Sequence, residues 1–359
     1  MSNNNYCVIM SGGVGSRFWP FSKEEKPKQF LDFLGTGRSL LQGTFDRFKK
    51  IVPIENIFVV TNETYAEITK KQLPELQDHQ ILCEPMRRNT APAIAFATYR
   101  IKAINPQANI VVAPSDHLIL NEDQFIADIT KGLDFVENNP MLLTLGIQPG
   151  RPETGYGYIQ VSKEEIDGIS KVKTFTEKPN LELATMFVDS GEFVWNSGIF
   201  LWNVNTIISA FRNHLPDIVN KFEEGKNMFN TSDEKQFIGE VFPFCPNISI
   251  DYGVLEKADN VYVNISNFGW CDLGTWGAFH EVSQHDDNSN TSLHCKTLFI
   301  ESNNNIVATS DEKLVVIQGL DGYIVAESGN VLLICKKSEE QRIKHFVTDV
   351  KFRYGDEYL

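Results

Sequence analysis

Three features of this sequence carry residue types that can do chemistry: a glycine-rich segment near the N-terminus, a basic cluster after it, and two acids far apart. The segment Ser11-Gly12-Gly13-Val14-Gly15-Ser16-Arg17 directly follows the apolar run Tyr6–Ser11. Glycines permit tight turns and let backbone N–H groups approach a phosphate with no Cβ in the way. A Walker A loop is excluded, because the closing Gly-Lys-Ser/Thr is missing. A dinucleotide fingerprint is excluded by Phe18, which stands where the third glycine belongs. Taken alone, the glycines fit an empty strand–helix turn as well as a phosphate cradle. The basic cluster is Arg17, Lys23, Lys26 and Lys28, set against Glu24 and Glu25. Pro20 and Pro27 stiffen the chain between Arg17 and Lys28, so these two cations are held in place. Arg can fork two phosphate oxygens and Lys acts as a point charge; the plain alternative is two surface charges.

Asp116 follows the apolar run Asn109–Ala113 within Pro114-Ser115-Asp116-His117. In an open α/β sheet, ligands bind beyond the carboxyl ends of the strands. Asp272 lies among aromatics in Phe268-Gly269-Trp270-Cys271-Asp272-Leu273-Gly274-Thr275-Trp276. Mg2+ takes one or two protein carboxylates and completes its octahedron with phosphate and water. Two distant aspartates meeting at one ion satisfy that demand; a turn or cap role is the commoner fate of a single Asp. No HExxH or EF-hand spacing is present, which leaves zinc and calcium without a motif. His117 reads as a structural hydrogen-bonder.

The elements that must position these residues alternate. Tyr6–Ser11, Ile57–Thr61, Gln80–Cys83, Asn109–Ala113 and Leu142–Gly146 read as buried strands. Helices are expected over 40–50, 63–72, 91–104 and 123–138, the third capped by Thr90 with Pro92 in its first turn. Such alternation implies an α/β fold with a mixed, mostly parallel central sheet covered on both faces. Residues 151–285 add strands at Gly157–Val161, Lys171–Thr176 and Gly198–Leu201, with helices near 181–190 and 204–224. The polar stretch 284–292 reads as a boundary, giving domains 1–285 and 286–359. Beyond it, apolar clusters at Ile306–Ala308, Leu314–Ile317, Tyr323–Ala326 and Val331–Ile334 alternate with turn residues, a small β domain of β-helix type. A helix over Ser338–Val350, capped by Ser338, closes the chain.

The 359 residues are 42% hydrophobic and 22% charged, which is globular composition. A net charge of −14 argues against nucleic acid as a partner. The short apolar runs argue against membrane insertion. The six scattered cysteines form no CxxC pair, and the N-terminus has no signal-peptide shape; both point to the cytoplasm.

Across nearly its whole length, in order, the chain resembles the mannose-1-phosphate guanylyltransferases, a branch of the sugar-phosphate nucleotidyltransferases. The resemblance rests on Gly12-Gly13-Val14-Gly15-Ser16-Arg17 through Pro27-Lys28-Gln29-Phe30, Glu84-Pro85 with Arg88-Asn89-Thr90-Ala91-Pro92, Pro114-Ser115-Asp116-His117, Thr176-Glu177-Lys178-Pro179, Trp195-Asn196-Ser197-Gly198, Ser249-Ile250-Asp251-Tyr252 and Trp270-Cys271-Asp272-Leu273-Gly274. Ser16 and Phe18 stand where the family usually has Thr and Leu. The likeness implies a Rossmann-like nucleotidyltransferase domain followed by a left-handed β-helix-like one. It implies GTP and mannose 1-phosphate as substrates, Mg2+ as cofactor and a homodimer as the assembly. Gly12, Gly13, Gly15, Ser16, Arg17, Lys28, Glu84, Asn89 and Ser115 are then expected at the nucleotide, with Arg17, Lys28 and Asp116 catalytic. Gly157, Glu177, Lys178 and Asn196 are expected at the sugar phosphate, and Asp116 and Asp272 at the metal. Glu84 is the candidate reader of guanine, since a carboxylate only accepts and guanine offers N1–H and N2–H donors; for Glu84 and Asn89 a loop-stabilising role stands level. Longer relatives carry a fused phosphomannose isomerase domain. This chain stops at Leu359, so no isomerase activity is expected. The rival readings are a thymidylyl- or adenylyltransferase acting on glucose 1-phosphate, a non-catalytic sugar-nucleotide sensor, and, least favoured, a nicotinamide-dependent dehydrogenase.

Overall fold

The computed structural model describes residues 3–359. Its strands in chain order are β1 (Asn5–Ser11), β2 (Ile57–Asn62), β3 (Ile81–Glu84), β4 (Asn109–Pro114), β5 (Leu118–Ile119), β6 (Leu142–Ile147), β7 (Gly157–Ile166), β8 (Ile169–Glu177), β9 (Phe193–Asn203), β10 (Val261–Ser266), β11 (Trp270–Cys271), β12 (Thr291–Ile300), β13 (Ile306–Gln318), β14 (Tyr323–Ser328) and β15 (Val331–Lys336). The helices are α1 (Leu40–Phe48), α2 (Ala66–Gln72), α3 (Thr90–Ile104), α4 (Glu122–Asn138), α5 (Leu181–Ser190), α6 (Val204–His214), α7 (Pro216–Glu224), α8 (Glu234–Val241), α9 (Trp276–Val282) and α10 (Ile343–Tyr354). Among the described residues no helix is long and apolar enough to cross a membrane.

Two compact units interleave along the chain. One holds the segment ending at Gly12 with Phe45–Pro114 and Ile119–Trp270; the other holds Gly13–Thr44, Ser115–Leu118 and Cys271–Leu359. In the first, a nine-stranded mixed sheet runs β3-β2-β1-β4-β9-β6-β10-β8-β7. Strands β1 to β4 are mutually parallel, with Asn62 opposite Glu84, Thr61 opposite Ser11 and Pro114 opposite Met10. Their carboxyl ends therefore lie along one sheet edge, and β1 sits centrally with a parallel neighbour on each side. Beyond β4 the antiparallel strand β9 intervenes. Helix α3 is buried along nearly its whole length against this sheet, which its Ala-rich sequence permits by keeping the helix slim.

In the second unit, β12, β13 and β14 pair in parallel and β15 closes antiparallel. Rungs are locked by stacked asparagines: Asn290 Oδ1 accepts from Asn305 Nδ2 at 3.0 Å, and Asn305 Oδ1 accepts from the Tyr323 amide at 2.9 Å. The core of this unit joins N-terminal and C-terminal residues. Phe18, Phe33 and Trp276 meet ring to ring (Phe18–Phe33 4.6 Å, Phe18–Trp276 5.1 Å), together with Ile306, Ile324 and Ile343.

Several local details differ from expectation, and the clusters Ile306–Ala308 and Leu314–Ile317 are one strand, β13. Asn89, not Thr90, caps α3, its side chain accepting from the Thr90 amide, while the Thr90 hydroxyl accepts from the Ile250 amide at 2.9 Å. The stretch 204–224 breaks into α6 and α7 at Leu215, because Pro216 starts a new helix and disfavours helical geometry in the residue before it. Ser338 caps nothing; a 3-10 turn (Lys337–Arg342) leads into α10. Trp276 is fully buried at the centre of the second core. Trp276→Ala is expected to cost about 3–5 kcal/mol in urea unfolding; a loss below about 1 kcal/mol would show that the aromatic cluster does not hold this unit.

Candidate active site

The glycine segment leaves β1 and turns on Gly15, which sits at φ +71° with its Cα so close to Lys28 that a Cβ would approach the Lys28 Cβ to 2.6 Å. Glycine is required there on both counts. At Gly12 and Gly13 a Cβ would meet nothing within 4 Å, so the backbone faces open space. The carbonyls of this loop are tied down. Gly13 O accepts from Gln29 Nε2 at 2.9 Å, Val14 O from the Lys28 amide at 3.3 Å and from Ser22 Oγ, Gly15 O from the Phe18 amide at 3.0 Å, and Ser16 O from the Trp19 amide at 3.3 Å. Among the described residues the amides of Gly12, Gly13, Val14 and Gly15 donate to no protein acceptor. A turn with anchored carbonyls and unspent amides is able to receive an anion.

Lys28 is only 4% exposed, and its ammonium spends all three protons. One goes to Asp116 Oδ2 at 2.8 Å, one to the Asp272 carbonyl at 2.8 Å and one to the Leu273 carbonyl at 2.9 Å. The two distant residues thus meet at one nitrogen, Asp116 through its carboxylate and Asp272 through its backbone carbonyl. The same contacts change what Lys28 does: in this form it is a tether, not a free charge facing a phosphate. Burial by itself would raise the Asp116 carboxyl, but the Lys28 ammonium and, secondarily, His117 outweigh it and hold the group below its ordinary 3.8. Asp116 is therefore ionised at neutral pH. The Asp272 carboxylate folds back on its own turn, Oδ1 accepting from the Gly274 amide at 2.8 Å. Leu273 takes the left-handed conformation at φ +46°, costly for a branched side chain, and is held there by full burial in the second core. Each carboxylate is the hard, anionic oxygen donor that Mg2+ takes, one or two at a time beside phosphate and water; among the described residues no group of three or more His, Cys, Asp or Glu gathers as a metal set. Ser115 is buried, its carbonyl accepting from Thr44 Oγ1 at 3.2 Å. Arg17 and Ser16 lie on the 3-10 turn Ser16–Phe18; the Arg17 Nε is buried with no partner among the described residues.

The remaining site residues belong to the first unit. Glu84 ends β3 and is 7% exposed; burial pushes its carboxyl up to about 8, opposed only weakly by Arg87. In the free protein it holds a proton at neutral pH, so the ionised acceptor expected from sequence must be drawn out by arriving donors. Asn89 sits at φ +66° as the α3 cap and is exposed.

Gly157, Glu177, Lys178 and Asn196 form one cluster. A Cβ at Gly157 would come within 2.3 Å of Glu177 Oε2. Glu177 pairs with Lys178, whose backbone is left-handed at φ +49°. Asn196 Oδ1 accepts from Thr144 Oγ1 at 3.1 Å, and its Nδ2 donates to Asp251 Oδ1 at 3.0 Å. Asp251 is a site residue that sequence reasoning does not single out, although its motif carries part of the resemblance. It opens a π-helical turn, Asp251–Leu255, a form frequent at functional sites and invisible to residue periodicity. Burial first, and then Glu177, push its carboxyl up to about 6, against the Asn196 amide and Lys178. Two carboxyls, an amide and an ammonium thus line one place, a set that suits sugar hydroxyls and one phosphate.

A family model described as Nucleotidyl transferase matches residues 6–289, and one described as MannoseP isomerase/GMP-like beta-helix domain matches 296–350. A mannose-1-phosphate guanylyltransferase of Escherichia coli is 35% identical over 356 residues, covering 97% of this chain and 76% of its own. A crystal structure from Thermus thermophilus, described as mannose-1-phosphate geranyltransferase, superposes with TM-score 0.87 at 30% identity over 97% of this chain and 99% of that one. One from Helicobacter pylori, described as mannose-6-phosphate isomerase, gives TM-score 0.60 at 25% identity over 74% of this chain and 99% of that one.

Lys28→Met keeps length and removes the ammonium. It leaves the buried side of Asp116 and two carbonyls unpaired, for an expected loss of about 3 kcal/mol at pH 7. The ion-pair share of that loss is present above the ordinary carboxyl value of 3.8 and disappears as pH falls through the lower folded value. Urea unfolding at pH 7 and pH 3 checks this; an equal loss at both would remove the ion pair from the account.

Proposed function

The chain belongs to the mannose-1-phosphate guanylyltransferases of the nucleotidyl transferase family, and from that premise we propose that it transfers GMP from GTP to mannose 1-phosphate, forming GDP-mannose and pyrophosphate. The observation that carries the reading is the meeting of Asp116 and the Asp272–Leu273 turn at Lys28, in contact with a loop of unspent amides. An oxygen of the sugar phosphate forms the new bond to the α-phosphorus of GTP as the bond to the pyrophosphate oxygen breaks. The attacking oxygen is already ionised at neutral pH, so no general base is needed. Catalysis then comes from alignment and from neutralising charge on the phosphates.

In this reading the amides of Gly12, Gly13, Val14 and Gly15 receive phosphate oxygens, and Arg17 forks two more. Asp116 and Asp272 would hold Mg2+, which supplies Lewis-acid charge to the phosphates when bound. Lys28 fixes the Asp116 carboxylate and the backbone that bears Asp272. The buried Glu84 meets guanine, whose N1–H and amino donors favour the carboxylate over the acid form. Glu177, Asn196 and Asp251 take sugar hydroxyls and Lys178 takes the sugar phosphate. All six cysteines are unpaired, as in a reducing compartment, and the cytoplasm is the compartment proposed.

Pyrophosphate release is measured with GTP, ATP, UTP and dTTP, each with mannose 1-phosphate or glucose 1-phosphate, with and without Mg2+. GTP with mannose 1-phosphate and Mg2+ is expected to be the fastest combination, and a faster rival pair overturns the assignment. Asp116→Asn, which keeps an acceptor for Lys28, should lose at least about a hundredfold in kcat, as removal of a transition-state charge contact does. Glu84→Gln should lower the preference for GTP over ATP; an unaltered ratio means guanine is read by other groups.

A further inference from the structure

The C-terminal helix packs on the turn that bears Arg17. Ile343, Phe346, Val347 and Val350 form a stripe at helical spacing on α10, and all pack into the cluster of Phe18, Trp19 and Trp276. Trp19 Nε1 donates to the Tyr358 carbonyl at 2.9 Å, tying the segment after α10 to the same place. The stripe fixes the rotation of α10, and with it the side of the helix from which Lys344 projects.

Lys344 follows Ile343, which packs in one cluster with Phe18, and Arg17 precedes Phe18 on the turn that α10 contacts, so the two cations oppose each other's charge. The Lys344 ammonium is held below its ordinary value, first by partial burial and then by the Arg17 guanidinium. Among the described residues no carboxylate pairs with either cation. Of the acids nearby in sequence, Glu339 is committed to Arg342 at 2.8 Å, Glu340 to the Gly277 amide at 2.7 Å and Asp356 to Lys351 at 2.9 Å, and none of the others forms an ion pair with Arg17 or Lys344 among the described residues. The first turn of α10 holds no acid at all. Arg17 in addition keeps a buried Nε without an acceptor among the described residues. Two cations set side by side without a counter-charge destabilise the free protein slightly, and a bound anion relieves that repulsion. The neighbouring loop offers unspent amides, so the anion that fits carries several negative oxygens.

We propose that Lys344 is a further phosphate-binding residue, which acts with Arg17 on the polyphosphate of the nucleotide and on the pyrophosphate that leaves. This rests on the proposed nucleotidyl transfer. It gives the C-terminal segment a direct part in substrate binding, beyond closing the β domain.

The test uses the full chain as wild type, Lys344→Ala, Lys344→Arg and, as a control on the same helix, Lys351→Ala. Thermal unfolding is followed with no ligand and with inorganic pyrophosphate, and KM and kcat are measured for both substrates. Without ligand, Lys344→Ala should melt at the wild-type temperature or above it, because repulsion is relieved. Its pyrophosphate-induced rise should shrink, and its KM for GTP should increase about tenfold, the worth of one charge-assisted hydrogen bond. KM for mannose 1-phosphate should stay unchanged, Lys344→Arg should restore GTP binding, and Lys351→Ala should alter neither. An unchanged pyrophosphate shift and GTP KM in Lys344→Ala overturns the proposal, as does a lowered melting temperature with both substrates weakened alike. If the wild type turns over no GTP, the functional reading fails by itself, while the pyrophosphate shifts still decide the role of Lys344.

Discussion

A single buried ammonium organises the candidate catalytic end of this protein. Lys28 has three protons and delivers them to three oxygens from two distant parts of the chain, the Asp116 carboxylate and the Asp272 and Leu273 carbonyls. A lysine with no free donor and 4% exposure is costly to desolvate. That cost is offset only while all three acceptors stay in place. Much of the nearby geometry follows from it: Gly15 must lack a Cβ because Lys28 lies against it, and Leu273 must accept a left-handed backbone so that its carbonyl and that of Asp272 point the same way.

The glycine loop and the acid pair are thereby one construction. The Lys28 amide holds Val14 O while its ammonium holds the Asp116 carboxylate and the Asp272 and Leu273 carbonyls, so the loop's curvature, one carboxylate and the backbone that carries the other are set by the same residue. The first unit is arranged on the opposite electrostatic principle. There Glu84 and Asp251 are buried with too few donors, and both carboxyls are pushed upward, to about 8 and about 6. Groups held short of donors favour a ligand that brings them, as a purine edge or sugar hydroxyls do. Groups already charged and paired favour phosphate and cation chemistry.

Much of the fold was legible because alternating apolar runs and amphipathic stretches report buried strands and their covering helices. A small β domain at the end of the chain was readable from its apolar clusters and turn residues, its period was too loose to fix a repeat, and its β-helix form came through the resemblance, with which the family match over 296–350 agrees. The glycine loop and Asp116 stood out because residue type and position after a strand carry meaning. What stayed hidden depends on contacts distant in sequence. Nothing in the residues around Lys28 says that its donors are consumed. Asn89 and Thr90 are both good caps, and only the tie from Thr90 to Ile250 decides between them. Asp251 lies on a π turn whose register no helical periodicity reveals. The break at Leu215 was readable from Pro216 and was overlooked. Lys344 became visible only when α10 was seen to lie on the Arg17 turn.

The most direct measurement of the central claim is a carboxyl 13C NMR titration of Asp116, assigned through Asp116→Asn. If Lys28 clamps it, the Asp116 carboxyl titrates below its ordinary 3.8 and is fully ionised through the neutral range. A titration at or above that value would mean that burial prevails and that the ammonium is not where the structure puts it, and the shared anchoring of the two aspartates would go with it.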